Sequence, residues 1–359
     1  MSIATLVLFV SGFVLLVAGA ELLVQGAVRL AAAAGVSTLV IGLTVVAYGT
    51  SAPELAVTLR ASIAEPPQPD IAVGNVVGSN ISNILLVLGM AAATTPLVVS
   101  RNVVRAGVPL MIGVSVLMLL LGLDGEIGRI DGGILFGSSM VYTAVTIIRS
   151  RRETIAARRE SGYKPARTGA AAFGYMGLQL IWIVVGLAML VQGSEWLVKG
   201  AVEVAELLGV SKLVIGLTIV AIGTSLPEVA TSVVAARRGQ RDIAVGNVVG
   251  SNIFNVLLVL GLCGAVAPQA VRVSAEALTL DIPVMIAVAI ACLPVFFTDY
   301  LIERWEGIFF LFYYAVYLAY LCLTATTSIP TETLLLVMGA FVTPPVVVTA
   351  AIYRRRRMA

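Results

Sequence analysis

Two hexapeptides place a carboxylate directly behind a proline inside runs apolar enough to cross a membrane: GTSAPE at 49–54 and GTSLPE at 223–228. The ring of Pro53 has no N–H to offer the carbonyl of Gly49, four residues earlier, and the glycine and hydroxyls beside it loosen the turn further. Backbone oxygens are thereby freed at membrane depth, where only protein, water or a bound ion can satisfy them. Thr50 and Ser51 stand four and three residues before Glu54, so a helical turn carries their hydroxyls to the face of the carboxylate. Thr224, Ser225 and Glu228 repeat the set. Both clusters consist of oxygen donors alone.

A second pair of motifs, GNVVGSNISN at 74–83 and GNVVGSNIFN at 246–255, adds neutral oxygens. Gly74 and Gly78 predict a smooth patch where another backbone approaches closely. Ser79 and Asn83, four apart, project from one helix face, as do Ser251 and Asn255, while Asn80 and Asn252 sit one position off it and are expected to pack or gate. A transmembrane proline alone reads as a kink, and paired glycines alone as a helix contact. The glutamates decide for a cation site, because a carboxylate at the bilayer centre costs at least about 2.5 kcal/mol and normally marks a pathway. Two of them near one point repel unless a cation lies between them. Carboxylate, hydroxyl, amide and backbone oxygens, in a chain with no histidine, suit calcium or sodium rather than zinc or copper. Two negative charges neutralise one calcium, or are shared among several sodium ions or protons. Helices that resist moving while the carboxylates are unpaired couple one ion's passage to another's.

These residues need elements to hold them. Of 359 residues, 59% are hydrophobic and 12% charged, with a mean hydropathy of +1.02, which describes a polytopic membrane protein. Residues 19–62 match residues 193–236 at 26 of 44 positions, and 70–89 match 242–261 at 18 of 20. The chain is a duplication. At roughly 20 apolar residues per crossing, the first copy has spans near 3–33, 37–64, 70–95, 103–123 and 130–149, and the second near 171–207, 211–236, 242–268, 276–298 and 305–325. An eleventh run, near 333–353, has no repeat partner. The expected fold is all-α, with repeats at 1–150 and 171–326, a basic linker at 151–170, and an accessory helix and tail at 327–359.

Five spans per copy place the second copy upside down relative to the first. The loop EPPQPD (65–70) is acidic and its counterpart RRGQRD (237–242) basic, as opposite compartments require. The arginine-rich linker and the RRRR tail (354–357) belong on the cytoplasmic side, which puts the N-terminus outside and the C-terminus inside an expected prokaryotic plasma membrane. The acidic segment DYLIERWE (299–306) is the exception. Residues 1–20 end in a faint signal-peptidase pattern but lack a basic start, so they are taken as the first span. Cys263, Cys292 and Cys322 fall in apolar runs without metal-ligand spacing and are expected to pack. Glu21 and Glu195 are repeat mates near helix ends or a cavity, Lys199, Glu203 and Glu206 face a wetter part of the sixth span, and Asp281 stands where its repeat mate is Gly107.

The four motifs together resemble the two alpha-repeats of the calcium/cation antiporter superfamily, and the chain is most similar to its prokaryotic sodium/calcium exchangers over about ten of its eleven spans. The resemblance implies alternating access, with the first and sixth helices sliding across a core of eight and four cation sites in a diamond. It implies that Glu54 and Glu228 are shared by calcium and sodium. It assigns oxygens to Thr50, Ser51, Thr224, Ser225, Ser79 and Ser251, backbone carbonyls to Ala47 and Ala221, and the middle of the diamond to Asn83 and Asn255. Many relatives, the potassium-dependent branch among them, carry an aspartate at one of these last two positions, and its absence argues against potassium co-transport. A family-like exchange of three sodium for one calcium moves one net charge, worth about 2.3 kcal/mol per 100 mV.

Sodium/calcium exchange is thus the leading expectation, with proton/calcium exchange as the nearest alternative and a cation channel behind it. No enzymatic chemistry, resident cofactor, nucleic acid or obligate protein partner is called for. The expected partners are calcium, sodium and the bilayer.

Overall fold

The computed structural model describes residues 3–161, 170–210, 212–297 and 300–326. The eleventh run, the basic tail and part of the linker lie outside them. Each repeat supplies five crossings, of which the second is broken. They are α1 (Ile3–Ala34), α2a and α2b (Thr38–Thr50, Ala52–Ile63), α3 (Pro69–Thr94), α4 (Val103–Leu121) and α5 (Arg129–Ser161). The second repeat gives α6 (Ala170–Leu207), α7a and α7b (Thr218–Thr224, Leu226–Arg237), α8 (Arg241–Val266), α9 (Ala277–Phe296) and α10 (Arg304–Thr326). The ten spans expected of the two repeats form, but α5 runs on to Ser161, so the first part of the linker is helical.

The breaks fall at Ser51 and Ser225, whose ψ angles of 6° and 1° leave the helical region one residue ahead of each Ala/Leu-Pro pair. The halves bend by 45° in α2 and 57° in α7. Six π-helical turns accompany them: Gly42–Val46, Asn83–Leu88 and Val103–Gly107 in the first repeat, and Gly216–Val220, Asn255–Leu260 and Ala277–Asp281 at the equivalent places in the second. Such widened turns leave backbone groups with looser partners and concentrate at functional sites.

Helices α1 and α6 pack together more extensively than any other pair. Their seam is built of glycines in reciprocal contact: a Cβ at Gly12 would meet the Gly193 carbonyl at 2.8 Å, and one at Gly19 the Gly186 carbonyl at 2.7 Å. Rising numbers on α1 meet falling numbers on α6, so the repeats run in opposite directions. Glycines along a seam let backbones lie close and present few ridges to cross. Phe13 and Val14 of α1 and Ile181 and Val184 of α6 are exposed, as a hydrocarbon surround requires.

Helices α3 and α8 are the most enclosed spans and cross at the centre. Two short antiparallel ladders tie the repeats at their ends, Leu97–Val98 with Leu301–Ile302 and Glu126–Ile127 with Val271–Arg272.

Two near-identical segments pack differently. On α8, Gly246 and Gly250 lie against α2a, where a Cβ at Gly250 would meet the Leu43 carbonyl at 2.7 Å and the Ala47 Cβ at 2.8 Å. Their repeat mates Gly74 and Gly78 have nothing within 4 Å of a built Cβ, nor has Gly216 on the second repeat's broken span. The close approach expected at Gly74 and Gly78 therefore occurs only at their counterparts, because α7a stands away from α3 and touches it only near its last turn. Val46 is fully buried while its mate Val220 is 45% exposed. The molecule is closed along α2a and open along α7a.

Candidate cation site

The helix breaks bring both carboxylates to the interior. Glu54 and Glu228 open the first turns of α2b and α7b, each with no exposed surface. Their N-terminal placement sets a negative charge against free N–H groups, a favourable arrangement with the helix dipole. Glu228 lies within electrostatic range of Glu54 and beside the Thr50 hydroxyl, although neither of its oxygens meets hydrogen-bond geometry. Ser79 reaches Glu54 Oε1 at 3.5 Å, a long contact, and Oε2 has no partner.

The predicted helical turn would direct Thr50 toward Glu54 of its own repeat. The break at Ser51 turns it across the pseudo-twofold instead, where its hydroxyl donates to Asn247 Oδ1 at 3.0 Å. Ser51, Ser79, Ser225, Ser251, Asn83 and Asn255 are all buried, and Thr224 is half-buried on the open side, its hydroxyl donating to the Ala221 carbonyl at 3.1 Å. The Ala47 carbonyl accepts the Ser51 N–H at 3.0 Å and lies 3.5 Å from the Thr50 hydroxyl; Ala47 is buried whereas Ala221 is exposed. The carbonyl of Gly223, which Pro227 leaves free, accepts a 2.6 Å hydrogen bond from Ser194 of α6.

Buried polar atoms without a hydrogen-bond partner gather at these motifs: Glu54 Oε2, both Glu228 oxygens, the hydroxyls of Ser51, Ser225 and Ser251, both amide atoms of Asn83 and Oδ1 of Asn255. Left unsatisfied, each such group costs about 1–3 kcal/mol, and charged ones more. Among the described residues no three or more Cys, Asp or Glu gather as a metal site, so two carboxylates and neutral oxygens are the donor set. That set fits a hard cation.

Two residues escaped the motif reading. Asn75 donates to the Glu54 carbonyl at 3.1 Å and to Thr58 Oγ1 at 2.9 Å, and its mate Asn247 donates to Ser232 Oγ at 3.1 Å while accepting from Thr50. Both tie a broken helix to a central one. Their position four residues before Ser79 and Ser251 puts them on the ligand face, a signal present in the spacing.

The closed side is sealed by aromatics. Tyr48 and Phe254 have ring centroids 3.9 Å apart, and Tyr142 adds an edge at 5.7 Å. The repeat mates of Tyr48 and Phe254 are Ile222 and Ser82, so the open side has no equivalent seal. Among the other acidic residues, Glu21 pairs with Arg238, Glu195 accepts from Gln192 at 3.4 Å and Glu203 accepts from Thr5 at 2.5 Å, all away from the carboxylate pair in sequence and on α1 or α6. Cys263 and Cys292 are buried and Cys322 half-buried.

Inverted five-helix repeats, each with a broken second helix presenting oxygens at the centre, have the build of a secondary transporter. Comparison with known proteins gives the particular group. Residues 4–148 and 178–323 match the family described as sodium/calcium exchanger protein, and the chain belongs to that family. It is 38% identical over 261 residues to inner membrane protein YrbG of Escherichia coli, an overlap of 73% of this chain and 79% of that protein. It is 34% identical over 322 residues to the sodium/calcium exchanger MaX1 of Methanosarcina acetivorans, covering 81% and 91%. A solved structure of the sodium-calcium exchanger NCX_Mj, soaked with sodium and calcium, superposes with a TM-score of 0.73 at 30% identity, covering 89% of this chain and 99% of that one. MaX1 and NCX_Mj are named as sodium/calcium exchangers, and YrbG as an inner membrane protein.

Proposed function

We propose that this protein exchanges sodium for calcium by alternating access, with both ions taken by one midplane site of Glu54, Glu228 and the oxygens of Thr50, Ser51, Thr224, Ser225, Ser79, Ser251, Asn83, Asn255, Ala47 and Ala221. The observation that carries the reading is the gathering of unpartnered buried oxygens at the paired motifs, in a family of sodium/calcium exchangers. A divalent ion between Glu54 and Glu228 relieves both their repulsion and their lost hydration; sodium ions do the same with a different number of particles, which makes the two cargoes compete. Opening along α7a and closure along α2a is one half of such a cycle. With the N-terminus outside, as the loop charges indicate, the open side is the outer one. The domain reading, two repeats joined by a basic cytoplasmic linker and followed by an accessory helix, goes with this orientation.

The test is calcium uptake into sodium-loaded proteoliposomes. An outward sodium gradient should drive it. Uptake that ignores sodium but follows a pH gradient would establish proton/calcium exchange instead, and flux without any counter-ion would establish a channel.

A further inference from the structure

We propose that Asn80 is a positioning residue that locks Asn255 as an oxygen ligand, while Asn83, the repeat mate of Asn255, stays free to turn. The inference rests on the cation-site reading above and adds how that site is oriented.

The argument starts from groups that can only accept. Asn80 Nδ2 donates to the backbone carbonyl of Asn252 at 3.2 Å and lies 3.4 Å from Met285 Sδ. A carbonyl and a thioether give no hydrogen, so the nitrogen end of Asn80 must face them. Its Oδ1 then faces Asn255 and accepts that residue's Nδ2–H at 3.1 Å. The nitrogen of Asn255 is thereby committed, and its Oδ1 is the end left without a hydrogen-bond partner. Burial makes the chain rigid: Asn80, Asn252 and Asn255 are all at most 2% exposed.

The other repeat does not reproduce it. Asn252, the mate of Asn80, donates to Val248 of its own helix at 2.8 Å. Asn83 keeps both amide atoms without a partner. One asparagine is therefore a fixed dipole with its oxygen committed to a cation, and the other can present either end. A fixed oxygen binds without reorganisation, which is where preorganised sites gain affinity. Asn83 can give oxygen to a cation, or N–H to a carboxylate once the cation leaves.

The experiment is thermal unfolding of the purified full chain in detergent, titrated with calcium chloride. Asn80→Leu, which keeps the volume and removes the acceptor, should weaken apparent calcium affinity about three- to tenfold, the worth of one hydrogen bond. In an Asn255→Asp background the ligand has two equal oxygens and no N–H to orient, so Asn80→Leu should no longer weaken binding. Asn252→Leu, which alters the mate, should leave affinity within about twofold and gives a readout even where the Asn80 variant does not fold. Equal weakening by Asn80→Leu in both backgrounds, no weakening in the native one, or a loss with Asn252→Leu as large as the one expected for Asn80→Leu would overturn the proposal. A native protein whose unfolding ignores calcium and sodium alike would instead overturn the site reading on which it rests.

Discussion

Replacing Gly78 by alanine asks whether the two repeats trade conformations. In the present structure α2a rests on Gly246 and Gly250, and a methyl at Gly250 would lie 2.7 Å from a carbonyl oxygen and 2.8 Å from another Cβ. Gly78 is the repeat mate of Gly250 and meets nothing within 4 Å. If transport swaps the repeats, α7a settles on Gly74 and Gly78 in the other state as α2a sits here. The added methyl then overpacks that state by about 1–3 kcal/mol and leaves this one untouched. At about 1.4 kcal/mol per tenfold, the equilibrium shifts roughly 5- to 150-fold toward opening along α7a. Gly250→Ala shifts it the other way, and the gain in helix propensity, about 1 kcal/mol, is common to both and cancels. Cysteines at Val220 and Val46, which are 45% and 0% exposed, report the two openings through their labelling by a membrane-impermeant maleimide in a cysteine-free background. Gly78→Ala should keep Val220→Cys reactive, suppress labelling of Val46→Cys and slow exchange at least about fivefold. Parallel shifts from Gly78→Ala and Gly250→Ala, or undiminished exchange with Gly78→Ala, would refute the reasoning.

Other perturbations reach different parts of the argument. Glu54→Gln and Glu228→Gln each remove one of two acids, and either should abolish sodium-driven calcium uptake while the protein still unfolds cooperatively in a melting assay. Phe254→Ser imports the residue of the repeat mate and dissolves the aromatic seal; by the usual cost of about 3–5 kcal/mol for truncating a buried phenylalanine, labelling of Val46→Cys should rise sharply. Glu21→Gln breaks a half-exposed ion pair with Arg238, so the melting free energy should fall by less than about 1 kcal/mol. With no third acid at Asn83 or Asn255, replacing potassium by choline on both sides should leave calcium uptake unchanged.

What the chain discloses before folding follows from what leaves a mark in residue types. Pro53 and Pro227 mark the breaks because no side chain replaces a missing N–H, and the 18 identities in 20 positions around Ser79 and Ser251 reveal the duplication. The π-helical turns at Asn83 and Asn255 leave no such mark, since a shift of hydrogen bonds by one residue needs no special side chain. The partner of Thr50 was hidden for a related reason: helical spacing holds only within a helix, and Ser51 ends one. The contrast between Gly78 and Gly250 is further from reach. Near-identical sequences pack differently there because one molecule with two inverted halves must hold them in complementary states, and which half is open belongs to a conformation rather than to a residue.

The two small ladders at the ends of the spans bear on how the chain is made. Leu97–Val98 and Glu126–Ile127 belong to the first repeat, and their partners, Leu301–Ile302 and Val271–Arg272, to the second. The first repeat therefore leaves the ribosome with both strand edges unpaired, and they stay so until residues 271–302 have been synthesised. A single repeat produced alone could finish its ladders only by borrowing the same two edges from a second copy inserted the other way up. The fused chain makes that encounter intramolecular, because each half carries its oppositely oriented neighbour on the same strand of synthesis.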